Sequence, residues 1–456
     1  MALSSEELAQ LLASLALIVV SAHVFGQIFV RLRQPRVIGE IVGGLILGPT
    51  FLLRMFPDVL GWVFPSSGPI PAILGAIYQL GLLLLMYCSG AEIRSLFGRG
   101  ERKTVLAITA GGIIVPFLAG LLLVTVIGTG SLRGAQSDDA SFALVFGIAI
   151  AVTSIPVISK ILMDLGIIGT SFARIVLAAA VVEDVLLYVA LAVALGLAQS
   201  GSTGLFGLPA LLQLSPGSPM NVAYRVIAEA GFLGLALVGG PRVFRWSLTS
   251  RHNLLGRSSP IAFQLAFMLA LSAACVALGV VPLFGAFVAG IIAGTTTTEV
   301  AIQARESIKR FSFAFFVPIY FALVGFQLDL LKGFDVGFFV GFLAFATAVK
   351  AASVYASARV AGETHAGGLN LAIAMNARGG PGIVLATVAF DAGIVSRSFF
   401  ASLVMLVVVT SLFAGAWLEH VVRTGSPLRA NERAEPAPDR PREPSDVTES
   451  LTGGRR

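Results

Sequence analysis

Charged residues are scarce in this sequence. Asp, Glu, Lys and Arg make up 12% of its 456 residues, whereas hydrophobic residues make up 56% and the mean hydropathy is +0.90. So few charged residues cannot supply the polar surface that a soluble domain of this length needs. The composition therefore argues against a soluble enzyme and predicts a chain that is solvated by lipid.

Cysteine and histidine are also rare. The two cysteines, Cys88 and Cys275, lie in apolar stretches without the spacing of a disulfide framework or a metal knuckle. The four histidines are His23, His252, His365 and His420. Because they are scattered, they predict no transition-metal site, and we expect no cofactor and no enzymatic activity. The net charge of +6 is typical of basic cytoplasmic loops, so it does not indicate nucleic-acid binding.

Long apolar runs are abundant. A membrane span needs about 20 apolar residues. The candidate spans, about thirteen on this measure, are 8–30, 35–53, 71–93, 104–128, 140–163, 170–199, 222–246, 259–278, 281–298, 311–328, 335–359, 366–390 and 398–422. The sequence therefore predicts an all-α membrane protein with about 13 transmembrane helices in residues 1–423. Residues 424–456 are rich in proline and charge, and we expect them to form a disordered tail.

The basic residues predict how the chain is oriented. Arg31, Arg33 and Arg36 follow the first span, and further basic clusters recur in alternate loops. Cytoplasmic loops carry such an excess of Arg and Lys. We therefore expect the amino terminus outside and the carboxy terminus inside, in a multi-pass protein of a bacterial plasma membrane.

Two spans are interrupted near their middles. The fifth contains Thr153-Ser154-Ile155-Pro156, and the twelfth contains Asn376-Ala377-Arg378-Gly379-Gly380-Pro381-Gly382. Proline removes a hydrogen-bond donor and glycine lowers the cost of leaving helical geometry, so Pro156, Gly379, Gly380 and Pro381 are predicted helix breaks. Each break falls in the fifth span of its half of the chain. This placement predicts an inverted-repeat transporter, although a simple proline kink is the alternative for the fifth span alone.

Four ionisable residues are predicted to lie at one depth in the membrane. Glu183 and Asp184 are about 20 Å along the sixth span at a rise of 1.5 Å per residue. Lys350 in the eleventh span and Arg378 in the second break lie at a comparable depth. Buried charges are costly unless they are compensated, and these four formal charges sum to zero.

Neighbouring residues on a helix point about 100° apart, so Glu183 and Asp184 cannot face the same partner. One of them can pair with a basic residue while the other stays free to exchange a proton for a cation. Oxygen atoms of Thr153, Ser154 and the unwound backbone suit a hard alkali cation. The alternative is a static salt-bridge network that only holds the helices together. For Glu40 in the second span, the sequence leaves a role in the proton path open.

The sequence resembles the monovalent cation/proton antiporter-2 family over residues 8–423. The segments that carry the resemblance are PRVIGEIVGGLILGP at 35–49, LGLLLLMYCSGAEI at 80–93, AVTSIPVISKILMDLG at 151–166, VVEDVLLYV at 181–189, FGAFVAGIIAG at 284–294, FFVPIYFALVGFQLDL at 315–330 and MNARGGPGIVLATVAFDAGI at 375–394. The resemblance implies a homodimer with a dimerisation domain and a moving core, in which two broken helices cross at the ion site. It also implies that Asp184 is the essential aspartate and Lys350 the core lysine. We therefore expect Glu183 to pair with Lys350 while Asp184 faces the cation.

One position departs from the family pattern. Glu183 stands where the residue before the aspartate is often Asp in electrogenic sodium exchangers and Asn in electroneutral relatives. The resemblance therefore predicts exchange of Na⁺ or K⁺ for H⁺ but leaves the stoichiometry open. The alternative function is a sodium-coupled or proton-coupled organic-solute transporter of the same inverted-repeat architecture.

Overall fold

The computed structural model describes residues 3–32, 34–92, 101–198, 207–213, 219–249, 253–429 and 432–433. The helices are α1 Ser5–Arg31, α2 Arg36–Leu47, α3 Leu52–Met55, α4 Pro57–Val63, α5 Pro69–Glu92, α6 Arg102–Val126, α7 Asp139–Ala151, α8 Ile155–Asp164, α9 Ser171–Ala198, α10 Leu208–Leu211, α11 Pro219–Thr249, α12 Leu254–Ser258, α13 Pro260–Ala277, α14 Pro282–Gly294, α15 Glu299–Phe311, α16 Val317–Phe326, α17 Val336–Ala361, α18 His365–Ala374, α19 Gly379–Asp391 and α20 Arg397–Arg423. A π-helical turn, Ser312–Phe316, joins α15 to α16. Two short strands follow, β1 Pro427–Arg429 and β2 Glu432–Arg433.

The predicted helical membrane class is confirmed. Ten helical segments in the described ranges are long and apolar enough to cross a membrane, judged by length and composition. Every predicted span overlaps at least one helix. The chain is an integral, multi-pass membrane protein, and the number of spans remains a prediction.

The helices pack in two groups. The scaffold group contains α1, α2, α5, α13, α14, α15 and α16, and the core group contains α6 to α9 and α17 to α20. The helix α11 contacts both groups, through α14 and α9. The core group holds both interrupted helices and thus all four of the predicted midplane charges.

Glycines allow the scaffold helices to touch backbone to backbone. A Cβ atom on Gly44 of α2 would lie 1.7 Å from the carbonyl oxygen of Ala322, and one on Gly325 of α16 would lie 1.9 Å from that of Ile41. No side chain fits at either position. Small residues serve this purpose in membranes because water is not there to drive helices together.

The interrupted helices cross, and backbone atoms hold the crossing. The first pair, α7 and α8, is separated at residues 152–154, and the second pair, α18 and α19, at residues 375–378. The amide of Ser154 donates to the carbonyl oxygen of Ala377 at 2.7 Å, and the hydroxyl of Thr153 donates to that of Met375 at 2.6 Å. Each unwound segment thus satisfies backbone groups of the other.

Four residues predicted as helix breaks lie just after the unwound segments. Pro156 is in the first turn of α8, while Gly379, Gly380 and Pro381 begin α19. Proline suits the first turn of a helix, because the N–H group that it lacks would have no partner there. These residues therefore start the second half of each interrupted helix, and the unwound residues are the ones that precede them in the chain.

The chain continues in an ordered form beyond residue 423. Strand β1 pairs antiparallel with β2, and the side chain of Leu428 is fully buried. The guanidinium of Arg429 forms an ion pair with Glu363 and donates to the hydroxyl of Ser171 at 2.6 Å. The segment predicted to be disordered from 424 therefore begins with packed residues, and 434–456 lie outside the described residues.

Candidate ion and proton site

One ammonium group joins four helices at the centre of the core group. Lys350 Nζ lies 2.9 Å from Glu183 Oε2 and 3.0 Å from Glu183 Oε1, and both side chains are fully buried. The same nitrogen donates to the carbonyl oxygens of Gly112, at 2.8 Å, and Ala151, at 2.6 Å. The structure thus contains the predicted Glu183–Lys350 pair and adds two backbone acceptors that compensate the buried charge.

Arg378 lies in the second unwound segment and is also fully buried. Its Nη2 atom donates to the carbonyl oxygens of Ile150, at 3.0 Å, and Ala346, at 2.8 Å. Ile150 and Ala151 are the last residues of α7, whose final carbonyls have no partner within the helix. Arg378 and Lys350 therefore place positive charge at the negative end of the α7 dipole.

Asp184 is the carboxylate of this cluster that has no hydrogen-bond partner among the described residues. Both of its oxygen atoms are buried. It opens on a small cavity with apolar walls, lined by Ile148, Val152, Leu187, Leu191, Pro381 and Leu385. A bare carboxylate is unstable in such surroundings, so it must bind either a proton or a cation.

Thr153 and Ser154 are fully buried at the crossing. The hydroxyl of Thr153 joins the two interrupted helices through Met375, and the hydroxyl of Ser154 accepts the amide of Val157 at 3.4 Å as the cap of α8. The hydroxyl of Thr153 thus holds the crossing, and that of Ser154 fixes the start of α8. Each hydroxyl oxygen keeps a lone pair that is available to a cation.

Two residues at the site had not been singled out from the sequence. Gly112 of α6 supplies a carbonyl oxygen to Lys350, and the side-chain oxygen of Asn376 is buried without a partner among the described residues. The signal for Gly112 was weak, because glycines are frequent throughout the spans. Asn376 was visible as a polar residue inside the second break, but nothing in the sequence indicated that its oxygen would be free.

A glycine substitution tests whether the crossing is tightly built. A Cβ atom on Gly379 would lie 2.0 Å from Val157 Cγ2 and 2.6 Å from Ser154 Oγ. We expect Gly379→Ala to lower the free energy of unfolding by about 1–3 kcal/mol, because a β-branched neighbour cannot move aside freely. Denaturation in detergent micelles measures this change.

The matched control for Gly379→Ala is Gly341→Ala in α17, where an added Cβ atom meets nothing within 4 Å. Alanine is the better helix former, so we expect this variant to be neutral or slightly more stable. Equal stability losses in the two variants would show that the crossing is no tighter than the rest of the fold.

Comparisons with known proteins agree with this arrangement. The sodium/hydrogen exchanger transmembrane family model matches residues 16–424. K(+)/H(+) antiporter 1 of Saccharomyces cerevisiae is 29% identical over 418 residues, which cover 90% of this chain and 46% of that protein. The Na(+)/H(+)-K(+) antiporter GerN of Bacillus cereus is 25% identical over 409 residues, which cover 89% of this chain and 95% of GerN. The chain thus spans about half the length of the first relative and nearly all of the second.

A solved structure has the same fold. The sodium proton antiporter MjNhaP1 from Methanocaldococcus jannaschii superposes with a TM-score of 0.58, at 14% identity, over 91% of this chain and 98% of MjNhaP1. This likeness supports the predicted inverted-repeat architecture.

Proposed function

We propose that this chain, which belongs to the sodium/hydrogen exchanger transmembrane family, exchanges a monovalent cation for protons across the membrane with Asp184 as the carrier. The observation that carries the proposal is the buried Asp184 carboxylate without a hydrogen-bond partner among the described residues. Beside it, Glu183 is neutralised by Lys350. One carboxylate is therefore held in place and the other is available.

Competition at Asp184 supplies the exchange. In its apolar cavity the carboxylate requires one positive charge, which a proton or an alkali cation can provide but not both at once. A cation that enters from one side releases the proton, and a proton that enters from the other side releases the cation. Because the site opens to only one side of the membrane at a time, the movement of the cation in one direction is coupled to the movement of the proton in the other.

The cation would be coordinated by oxygen atoms. Besides Asp184, the candidates are the hydroxyls of Thr153 and Ser154, the free side-chain oxygen of Asn376 and the carbonyls of the unwound segments. Such ligands suit hard cations such as Na⁺ and K⁺. The names of the two relatives include both ions, so the proposal covers either.

The surroundings of the site are part of the proposal. We infer a homodimer in a bacterial plasma membrane, with the amino terminus outside and the carboxy terminus in the cytoplasm. The orientation is supported by Arg31, Arg36 and Arg102, which lie at helix ends that the positive-inside rule assigns to the cytoplasm.

Flux measurements on reconstituted protein test the proposed function. Vesicles that hold a pH-sensitive dye and an acidic interior should become alkaline inside when Na⁺, K⁺ or Li⁺ is added outside. Choline, which is too large for an oxygen-lined site, serves as the control cation. If no alkali cation produced more proton movement than choline, the proposed exchange would be refuted.

A further inference from the structure

A cavity separates the scaffold and core groups on one side of the crossing. Residues of α2, α5 and α15 form its scaffold wall, and α8 forms its core wall with Val157, Lys160 and Met163. Met163 is 49% exposed, so the cavity opens to the surface at this end. At the other end Val157 faces Gly379 so closely that a Cβ atom on Gly379 would lie 2.0 Å from Val157 Cγ2. The cavity thus reaches from the surface to the crossing.

Basic residues assign this cavity to the cytoplasmic side. Arg36, Lys160 and Lys309 line it, and Arg36 forms an ion pair with Glu40 at 3.1 Å. In the proposed orientation, these basic residues belong to the cytoplasmic half of the protein. The structure is therefore open toward the cytoplasm, and contacts on the other side of the crossing close it toward the outside.

On that outer side a hydrogen bond joins the two groups. Tyr320 of α16 belongs to the scaffold and Thr387 of α19 to the core, and their hydroxyl oxygens are 3.3 Å apart. Both side chains are fully buried. Helix α19 begins at the crossing with Gly379 and ends at the exposed Asp391. Thr387 therefore lies about 12 Å beyond the crossing and about one turn from the outer surface.

The direction of this hydrogen bond follows from a second contact of Thr387. Its Oγ1 atom lies 2.8 Å from the carbonyl oxygen of Ile383, which can only accept. The one hydroxyl proton of Thr387 is therefore used within α19, and the phenol of Tyr320 must be the donor. Tyr320→Phe would thus remove the bond between the groups and keep the aromatic ring.

Aromatic packing surrounds the bond on the scaffold side. The ring of Tyr78 in α5 lies 5.0 Å from that of Tyr320, and the ring of Phe321 lies 5.0 Å from it as well. Tyr78 is 5% exposed and Phe321 is 1% exposed. The outer layer formed by Tyr78, Tyr320 and Thr387 therefore excludes water, whereas the cavity on the cytoplasmic side is open.

We propose that Tyr320 and Thr387 are positioning residues that close the ion site to the outside, and that their hydrogen bond sets the balance between the state open to the cytoplasm and the state open to the outside. The inference rests on the proposed cation/proton exchange. The bond must break when the core moves relative to the scaffold, because its two ends belong to different groups. A contact that is made in only one of two states shifts their populations toward that state.

Loss of the bond should favour the state open to the outside. One hydrogen bond changes a population ratio about fivefold. A cation that arrives from outside binds to the less populated state, so its apparent affinity is reduced by the small population of that state. We therefore expect Tyr320→Phe to lower the half-saturating cation concentration at the outer side about fivefold, and to change that at the cytoplasmic side by less than about twofold.

Right-side-out and inside-out membrane vesicles present the two sides of the protein separately. Proton movement is followed with a pH-sensitive dye while Na⁺ or K⁺ is titrated on the accessible side. Thr387→Val keeps the shape of the side chain without the hydroxyl and should reproduce the effect of Tyr320→Phe. Thr387→Ser keeps the acceptor and should behave as the parent does. The double variant Tyr320→Phe/Thr387→Val should show no greater effect than either single variant, because both remove the same bond.

Tyr87→Phe is the matched control for the loss of a phenol. Tyr87 of α5 is 1% exposed, and its hydroxyl donates to Gln264 Oε1 at 2.7 Å. Gln264 lies on α13, so both residues belong to the scaffold. This variant loses a buried hydrogen bond that does not join the two groups, and its half-saturating concentrations should match those of the parent on both sides.

Two results overturn the inference. One is an unchanged half-saturating concentration at the outer side in both Tyr320→Phe and Thr387→Val, and the other is an equal change on the two sides of the membrane. A parent protein that moves no protons in response to cations refutes the proposed function instead.

Discussion

Asp184→Asn is expected to reduce cation-driven proton movement to the level of empty vesicles. The amide keeps nearly the same shape in the cavity, but it can neither exchange a proton nor offer a full negative charge to a cation. Because the carboxylate has no hydrogen-bond partner among the described residues, its removal breaks no contact there, and we expect the folded protein to be as stable as the parent. Flux in the pH-dye vesicles and denaturation in detergent measure the two effects.

Asp58→Asn is the matched control for the carrier residue. Asp58 lies in the first turn of α4 and is exposed, far in the chain from the crossing. This variant should transport as the parent does. If folded Asp184→Asn protein also exchanged cations for protons, then Asp184 would not be the carrier and the charge cluster would be only structural.

The second large effect is expected at the Glu183–Lys350 pair. Removing one member of a buried pair leaves the other charge uncompensated, which costs about 3–5 kcal/mol. We therefore expect Lys350→Gln and Glu183→Gln each to lower the free energy of unfolding strongly. The double variant should be less destabilised than the sum, with a coupling of about 2 kcal/mol.

Lys332→Gln, in an exposed loop, is the control for the loss of a lysine charge and should change stability little. The double-mutant cycle compares the stability losses of the two single variants with that of the double variant. Effects of Glu183→Gln and Lys350→Gln that simply add would mean that the two side chains are not coupled and that Lys350 is held by the carbonyls of Gly112 and Ala151 alone.

The midplane cluster was largely predictable from sequence because helical geometry is regular. Depth follows from residue counts along a span, and the angle between Glu183 and Asp184 follows from the helical repeat. Together they predicted that one acid pairs with Lys350 while the other stays free. In the structure Lys350 contacts Glu183, and Asp184 has no hydrogen-bond partner among the described residues. The contacts of Lys350 and Arg378 with the end of α7 were not predictable, because they depend on how separate helices cross.

The interrupted helices also show that sequence patterns locate a feature only approximately. Proline and glycine marked where helical geometry changes, yet the unwound residues are those just before them, including Thr153 and Asn376. Composition also failed at residue 424, because a disorder-prone sequence can still contribute a buried residue such as Leu428 when a neighbouring surface accepts it. Sequence patterns thus located each feature to within a few residues, and packing decided the rest.

Proton release on cation binding tests the central claim most directly, namely that Asp184 exchanges its proton while Glu183 is held by Lys350. Purified protein in a weakly buffered detergent solution with a pH dye should release protons when Na⁺ or K⁺ is added. We expect Glu183→Gln to retain this release and Asp184→Asn to lose it. Release that persists in Asp184→Asn and disappears in Glu183→Gln would contradict the account, because the roles of the two carboxylates would then be reversed.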